Sequence, residues 1–392
     1  MKRTDYGCHA AGGAVRDLLL GRRRHDVDYV CIDSQEDFIQ RNPEARKIEN
    51  GHTCVYLLNE QEYLLLPPGS GQEESTLAND IARRDFTINS LLLSNNGVIR
   101  AHPSAFADLG NGIIRPTSSN SLLDDPVRVL RAARFSAELP SFFLHDACLE
   151  QMRSAARRGL LAGIAAEQAG RECIKACSAA MPGNFLKALA AASCLHPWFA
   201  EFASGRSKAA GPPRFHNGTV LEHTVDVMDQ VAQCCAEEAG GDWRPPLSTL
   251  AVWMALCHDL GKSATSETAL PRHIGHESRG GEMAYALGKR LRLPSLFCKA
   301  GKLTSELHMK AGNYSILKPG TKVDLLMRLY NARIAAPFFI VIAADSHKKQ
   351  LPELMRLDLD RILAVKLPLQ WENKGEASGR YLRQMRCEAI SV

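Results

Sequence analysis

The sequence predicts an α+β head, a mixed β-sheet with helices, followed by an all-α remainder. Two observations carry that reading. Short apolar runs bounded by turn-forming residues, at 6–11, 27–32, 53–58 and 63–66, fall within the first 116 positions. Beyond them Ala and Leu recur at helical spacing with few breaks of that kind. A chain of 392 residues has room for several domains. The expected division is a head over 1–116, a helical neck and body over 117–205, a second helical domain over 206–350 and a helical tail over 351–392.

The first run ends at Gly12-Gly13, and Arg16 follows within one helical turn. A basic turn then leads to Asp26-Val27-Asp28 at the head of the second run. In a strand, positions i and i+2 share a face, so Asp26 and Asp28 project together while Val27 faces the core. Two neighbouring carboxylates repel, and a hard divalent cation such as Mg²⁺ relieves the repulsion. Glycines let backbone N–H groups approach a phosphate, and an arginine adds a bidentate contact. Taken singly, each piece is an ordinary turn or strand end; together they point to phosphoryl or nucleotidyl transfer. No Gly-Lys-Ser/Thr follows, so this is not a P-loop, and it is not a G-x-G-x-x-G fingerprint.

The pattern GGAVRD…LLG…D-x-D resembles the nucleotidyltransferase motif of class II tRNA nucleotidyltransferases, the CCA-adding enzymes, and of related bacterial poly(A) polymerases. The resemblance implies that Asp26 and Asp28 are catalytic and hold Mg²⁺. It further implies that Gly13, Arg16, Arg84, Arg131 and Arg134 bind the nucleotide.

Residues 67–80 read as a polar, breaker-rich loop. The stretch Asp80-Ile-Ala-Arg-Arg-Asp-Phe-Thr-Ile-Asn89 follows, and apolar residues at Ile81, Phe86 and 88–93 suit a helix packed on the sheet. Residues 83–89 match the family's R-R-D-F/L-T-I/M-N motif in full, and Asp108-Leu-Gly-Asn-Gly112 resembles its connector.

Then comes Asp124-Asp125-Pro126-Val-Arg128-Val-Leu-Arg131-Ala-Ala-Arg134. Pro126 suits a first helical turn. Three arginines at i+3 spacing form a slowly drifting stripe, which repels itself unless anions or carboxylates lie against it. The resemblance equates this stretch with the family's E-D-x-x-R, with Asp124 in place of the usual Glu. By that resemblance Asp125 and Arg128 bond the base edge of incoming CTP or ATP, so that the protein itself is the template. Further on, Glu167, Arg171, Glu172 and Lys175 fit a helix-surface charge network.

The second helical domain carries His223, then Cys257-His258-Asp259-Leu-Gly-Lys262, then His276, His308 and Asp345. Imidazoles and carboxylates suit borderline divalent metals. The order H…HD…H…H…D resembles the HD phosphohydrolase superfamily, and residues 271–277, PRHIGHE, resemble the same region of CCA-adding enzymes that carry an HD domain. The resemblance implies Ni²⁺ or Mn²⁺ at these six residues and phosphatase, 2′-nucleotidase or 2′,3′-cyclic phosphodiesterase activity. Lys262 and Arg272 are candidate phosphate anchors.

The expected partners are the tRNA 3′ end and acceptor arm, ATP and CTP, with the protein a monomer or dimer. A net charge of +5 permits a polyanionic partner without demanding one. No apolar run approaches a membrane span, and the N-terminus lacks a signal-peptide core, so a cytoplasmic protein is expected. Twelve cysteines without a C-x-x-C pair read as reduced, buried small hydrophobes. One departure from the family stands out. Where it has E-Y-x-x-A-R-x-E, this chain has Glu62-Tyr63 followed by three leucines and two prolines. The rivals to full CCA addition are therefore poly(A) polymerase, partial A- or CC-addition, and a phosphohydrolase whose head only binds a nucleotide. A non-catalytic tRNA-binding protein is disfavoured, because both ligand sets are complete.

Overall fold

The computed structural model describes residues 7–22, 27–50, 53–66, 73–213, 218–237, 247–346 and 350–391. The chain divides into two compact units. Unit 1 comprises 1–132 and 141–160; unit 2 comprises 133–140 and 161–392.

Beside a short parallel pair, Ile113–Ile114 with Phe143–Leu144, unit 1 has the strands β1 (Cys8–Ala11), β2 (Asp28–Ile32), β3 (Arg46–Asn50), β4 (Thr53–Leu58), β5 (Gln61–Leu66), β6 (Leu91–Ser94) and β7 (Ile99–Ala101), which make the main sheet. They form one sheet in the order β3-β4-β5-β2-β1-β6-β7. β2 and β5 run parallel. β1 is antiparallel to both β2 and β6, so the sheet is mixed. Its helices are α1 (Gly13–Leu19), α2 (Gln35–Arg41), α3 (Glu73–Arg83), α4 (Ala105–Asn111), α5 (Ser121–Asp124), the first half of α6 (Val127–Glu138) and α7 (Asp146–Arg157).

Alternation along the strands divides the core. Ala11, Val30, Leu66 and Leu92 pack with Leu77 and Ile81 of α3. Cys8, Cys31, Leu65 and Tyr56 pack with Phe38 of α2. β2 and β5 thus bury successive residues, Val30/Cys31 and Leu65/Leu66, in different clusters, as a period of two requires. Cys8 and Cys31, opposite each other on β1 and β2, form a disulfide, where reduced thiols are expected from composition.

Two local expectations are corrected. The polar stretch expected to be loop contributes α3 from Glu73, because Leu77 and Ile81, four apart, give it a buried face. The apolar run 88–93 is not helical: a 3₁₀ turn, Thr87–Asn89, leads into β6. A short run buried on both faces is a strand or a helix by pattern alone, and pairing with β1 decides it.

Unit 2 is helical: the second half of α6, then α8 (Ala166–Cys177), α9 (Gly183–Ala191), α10 (Glu201–Ser204), α11 (Val220–Glu237), α12 (Leu247–Cys257), α13 (His276–Arg290), α14 (Ser295–Gly312), α15 (Pro319–Asn331), α16 (Ala335–Ser346), α17 (Gln350–Ala364) and α18 (Glu376–Ala389). α12 and α16 are apolar on nearly every side and lie at its centre, with α11 and α14 packed against both. No described helix is long and apolar enough to cross a membrane.

Candidate functional site

The head's site is built on the end of β1. Gly12 has φ 65°, a conformation that favours glycine, and its N–H donates to Leu91 O at 2.9 Å. A Cβ at Gly12 would stand 3.0 Å from Arg84 Nη1, so glycine also admits that guanidinium. Gly13 opens α1, whose Arg16 is buried. Register places Asp28, exposed at the start of β2, opposite Ala11 and so beside the glycine turn. Asp26 lies outside the described residues.

Three arginines converge through one motif. Arg16 Nη1 donates to Asn89 Oδ1 at 2.7 Å. Arg84 Nη1 donates to Asn89 O at 3.4 Å, and its Nε donates to Asp80 at 2.9 Å. Asn89 Nδ2 donates to Asp85 Oδ1 at 3.2 Å, and Asp85 Oδ2 accepts from Arg131 Nε at 2.8 Å. Burial alone would raise the Asp85 pKa; the Arg131 charge and the donated hydrogen bonds outweigh it and hold the carboxyl below the ordinary range. Asp85 and Asn89 had no assigned role on sequence grounds. The signal was their i, i+4 spacing inside the R-R-D-F-T-I-N match.

Asp125, between α5 and α6 with extended backbone, lies 3.5 Å from Arg128 Nε. Arg128 is fixed by donating Nη1 to Ser121 Oγ at 2.8 Å and Nη2 to Arg83 O at 2.8 Å. Asp125 keeps half of its side chain exposed, at 50%. The arginine stripe of α6 is therefore met by carboxylates, as its self-repulsion requires. Arg134 has other partners. It is buried in unit 2, where Nε donates to Glu172 at 2.6 Å and Nη1 to Glu138 at 2.5 Å. Glu172 is accordingly a buried partner rather than part of a surface network.

In unit 2 the six expected His and Asp residues come together from five places. α11 carries His223; His258 and Asp259 follow α12; His276 opens α13; α14 carries His308 and α16 carries Asp345. Gly261 and Gly280 permit the close approach, since a Cβ on Gly261 would lie 2.0 Å from His276 O. The ring orientations are set from behind. Nδ1 of His258, His276 and His308 faces the carbonyls of Ala255, His273 and Ser305 at 2.6, 2.7 and 2.9 Å. Donation from Nδ1–H leaves each Nε2 lone pair pointing inward, the orientation a metal ligand needs.

The donors form two groups, His223/His258/Asp345 and Asp259/His276/His308. Asp259 spans them. Its Oδ2 lies 3.2 Å from His223 Nε2 and 3.3 Å from His258 Nε2. Its Oδ1 lies 3.2 Å from His276 Nε2 and 3.3 Å from His308 Nε2. That Oδ1 is buried without a hydrogen-bond partner. An acceptor oxygen facing two inward lone pairs is repulsive unless a cation stands between them, so the donor set fits a divalent metal. Burial disfavours a charged His223, yet Asp259 and Asp345 push its pKa up to about 9. Lys262, expected to anchor phosphate, instead reaches Asp259 Oδ2 at 2.6 Å. Arg272 lies exposed on the loop before α13.

Fold and site together define a nucleotidyltransferase head and, in the second unit, an HD-type His/Asp centre. The HD domain model matches residues 220–364. The multifunctional CCA protein of Pseudomonas aeruginosa (strain LESB58) is 31% identical over 98% of this chain and 97% of its own length. A CCA-adding enzyme solved with ATP matches with a TM-score of 0.65 at 16% identity, over 98% of this chain and 87% of that one. The Thermotoga maritima CCA-adding enzyme solved with tRNA matches with a TM-score of 0.59 at 17% identity, over 98% and 87%. The chain belongs to the multifunctional CCA protein family: it is a class II CCA-adding enzyme with an HD phosphohydrolase domain.

Proposed function

We propose that the head adds C, C and A in turn to the 3′ end of tRNA from CTP and ATP, with Asp26 and Asp28 as the Mg²⁺ ligands. Bound there, the cation would activate the terminal hydroxyl and neutralise charge at the α-phosphate. Gly13, Arg16, Arg84 and Arg131 hold the triphosphate. Asp125 accepts from the exocyclic amine shared by cytosine and adenine, and Arg128 donates to the ring edge. Arg134, tied to Glu172 and Glu138, supports α6 in this scheme. The tRNA acceptor arm is bound through its phosphates and shape, in the cytoplasm.

The observation that carries this reading is the convergence of Arg16, Arg84 and Arg131 on Asn89 and Asp85 beside the Gly12–Gly13 turn. The test supplies single nucleotides to a tRNA lacking its last three residues. CTP alone should add two residues, ATP alone essentially none, and both together should add three and stop. Unbounded addition from ATP alone identifies a poly(A) polymerase instead.

For the HD centre the proposal is phosphoester hydrolysis by a Ni²⁺- or Mn²⁺-loaded site. The His223/His258/Asp345 and Asp259/His276/His308 groups would hold the metal. When bound, the metal supplies a nucleophilic water at neutral pH. The Nδ1 contacts of His258, His276 and His308 keep the ligand nitrogens aimed inward, and Lys262 orients Asp259.

A further inference from the structure

We propose that Asn89 is the positioning residue of the nucleotide site, the joint that sets the two phosphate-facing arginines and links them to α6. The inference rests on the reading that Arg16, Arg84 and Arg131 hold the triphosphate.

Four bonds made by one buried residue carry it. The side-chain oxygen of Asn89 accepts from Arg16 Nη1 at 2.7 Å. Its main-chain oxygen accepts from Arg84 Nη1 at 3.4 Å. Its side-chain NH₂ donates to Asp85 Oδ1 at 3.2 Å, and the other oxygen of Asp85 accepts from Arg131. Its own N–H donates to Phe86 O at 3.0 Å, closing the 3₁₀ turn that puts it there. The residue is 5% exposed.

The chemistry of the position demands an amide. The side chain must accept from a guanidinium on one side and donate to a carboxylate on the other. Asp lacks the donor and would set a second carboxylate against Asp85. Leu fills nearly the same volume and does neither. Arg16 stands on α1 and Arg131 on α6, elements distant in sequence, and the Asn89–Asp85 pair is the path between them. Long guanidinium side chains have many rotamers, and fixing them before the nucleotide arrives removes an ordering penalty from binding. Asn89 touches no reacting atom in this scheme; it acts through the arginines.

The test uses the full chain carrying Asn89→Leu, Asn89→Asp or Arg16→Ala, and the double variant Arg16→Ala/Asn89→Leu. Each is assayed for nucleotide addition, with thermal midpoints recorded. Asn89→Leu should raise KM for CTP and for ATP by the same factor, about tenfold, with the CTP:ATP preference and the KM for tRNA unchanged. A purely structural role lowers the midpoint without that selective KM shift. The double variant should be no worse than about the more severe single one, because both remove the same bond. Should Asn89→Leu not fold, Asn89→Asp decides: it keeps an acceptor for Arg16 but loses the donor to Asp85 and sets two carboxylates together, and KM for CTP and ATP should rise by a common factor above twofold. The proposal is overturned if KM for both nucleotides stays within twofold of the parent, if base preference shifts, or if the two losses simply multiply. If Arg16→Ala leaves KM unchanged, the triphosphate reading has failed, and the role of Asn89 falls with it.

Discussion

At the level of single residues, the head reads as an arrangement of hydrogen bonds that leave one edge open. Arg128 is held by backbone and Ser121, while the Asp125 carboxylate beside it keeps half its surface in solvent. Such a pair can select a base without holding the phosphates. Asp125→Ala and Arg128→Ala should therefore degrade discrimination among the four nucleotides more than affinity for the triphosphate, measured as kcat/KM ratios against competition by inorganic triphosphate. A uniform loss for all four nucleotides would make the pair structural. Asp85 gives a pH signature. Its carboxyl is held below the ordinary aspartate range because Arg131 and donated hydrogen bonds outweigh burial. A folded value below the unfolded one stabilises above the unfolded pKa, and the benefit is lost as pH falls through the folded value. The stability gap between the parent and Asp85→Asn should be full at pH 6–7 and shrink below about 3.8, read as urea midpoints across pH. Asp125 and Arg128 were legible in the sequence because their motif is contiguous. The role of Asn89 was not, since it depends on a side chain 73 positions away meeting it in space.

At the level of elements, the strands that carry the glycine turn and Asp28 were legible from short apolar runs. β6 was not: its apolar run borders a helix-like motif, and only pairing with β1 distinguishes the two. The start of α3 was masked by polar composition for a similar reason, because two buried apolar residues, Leu77 and Ile81, suffice to anchor it. α6 shows how periodicity misleads about roles. Its arginines recur evenly, yet Arg131 meets Asp85 in the head, while Arg134 is buried against Glu172. Arg134→Ala leaves Glu172 unpaired in a buried setting and should lower stability by about 3–5 kcal/mol, seen as a fall in the urea midpoint. Triphosphate affinity measured on the folded protein should hold. A stable variant with weakened nucleotide binding would return Arg134 to the nucleotide site. In unit 2, the spacing of His223, His258, Asp259, His276, His308 and Asp345 was visible. Their division into two groups spanned by Asp259 was not, because it depends on how helices distant in sequence pack.

At the level of the whole molecule, the chain carries two ligand sets built on unrelated principles. The head uses a strand end, a glycine turn and converging guanidiniums; unit 2 uses imidazoles locked from behind by main-chain carbonyls. No residue is common to both sets, so the two chemistries should be separable by substitution. The most direct measurement assays both on one preparation: nucleotide addition to a tRNA lacking its 3′ end, and phosphoester hydrolysis after chelation and return of Ni²⁺, Mn²⁺ or Mg²⁺. Asp28→Ala should bring addition below a few per cent of the parent, a loss of at least ~2 kcal/mol in transition-state stabilisation, while tRNA binding and hydrolysis persist. The double variant His258→Ala/Asp259→Ala should lose metal-stimulated hydrolysis and retain addition. Addition that survives Asp28→Ala, or a double variant that loses both activities, would contradict the account.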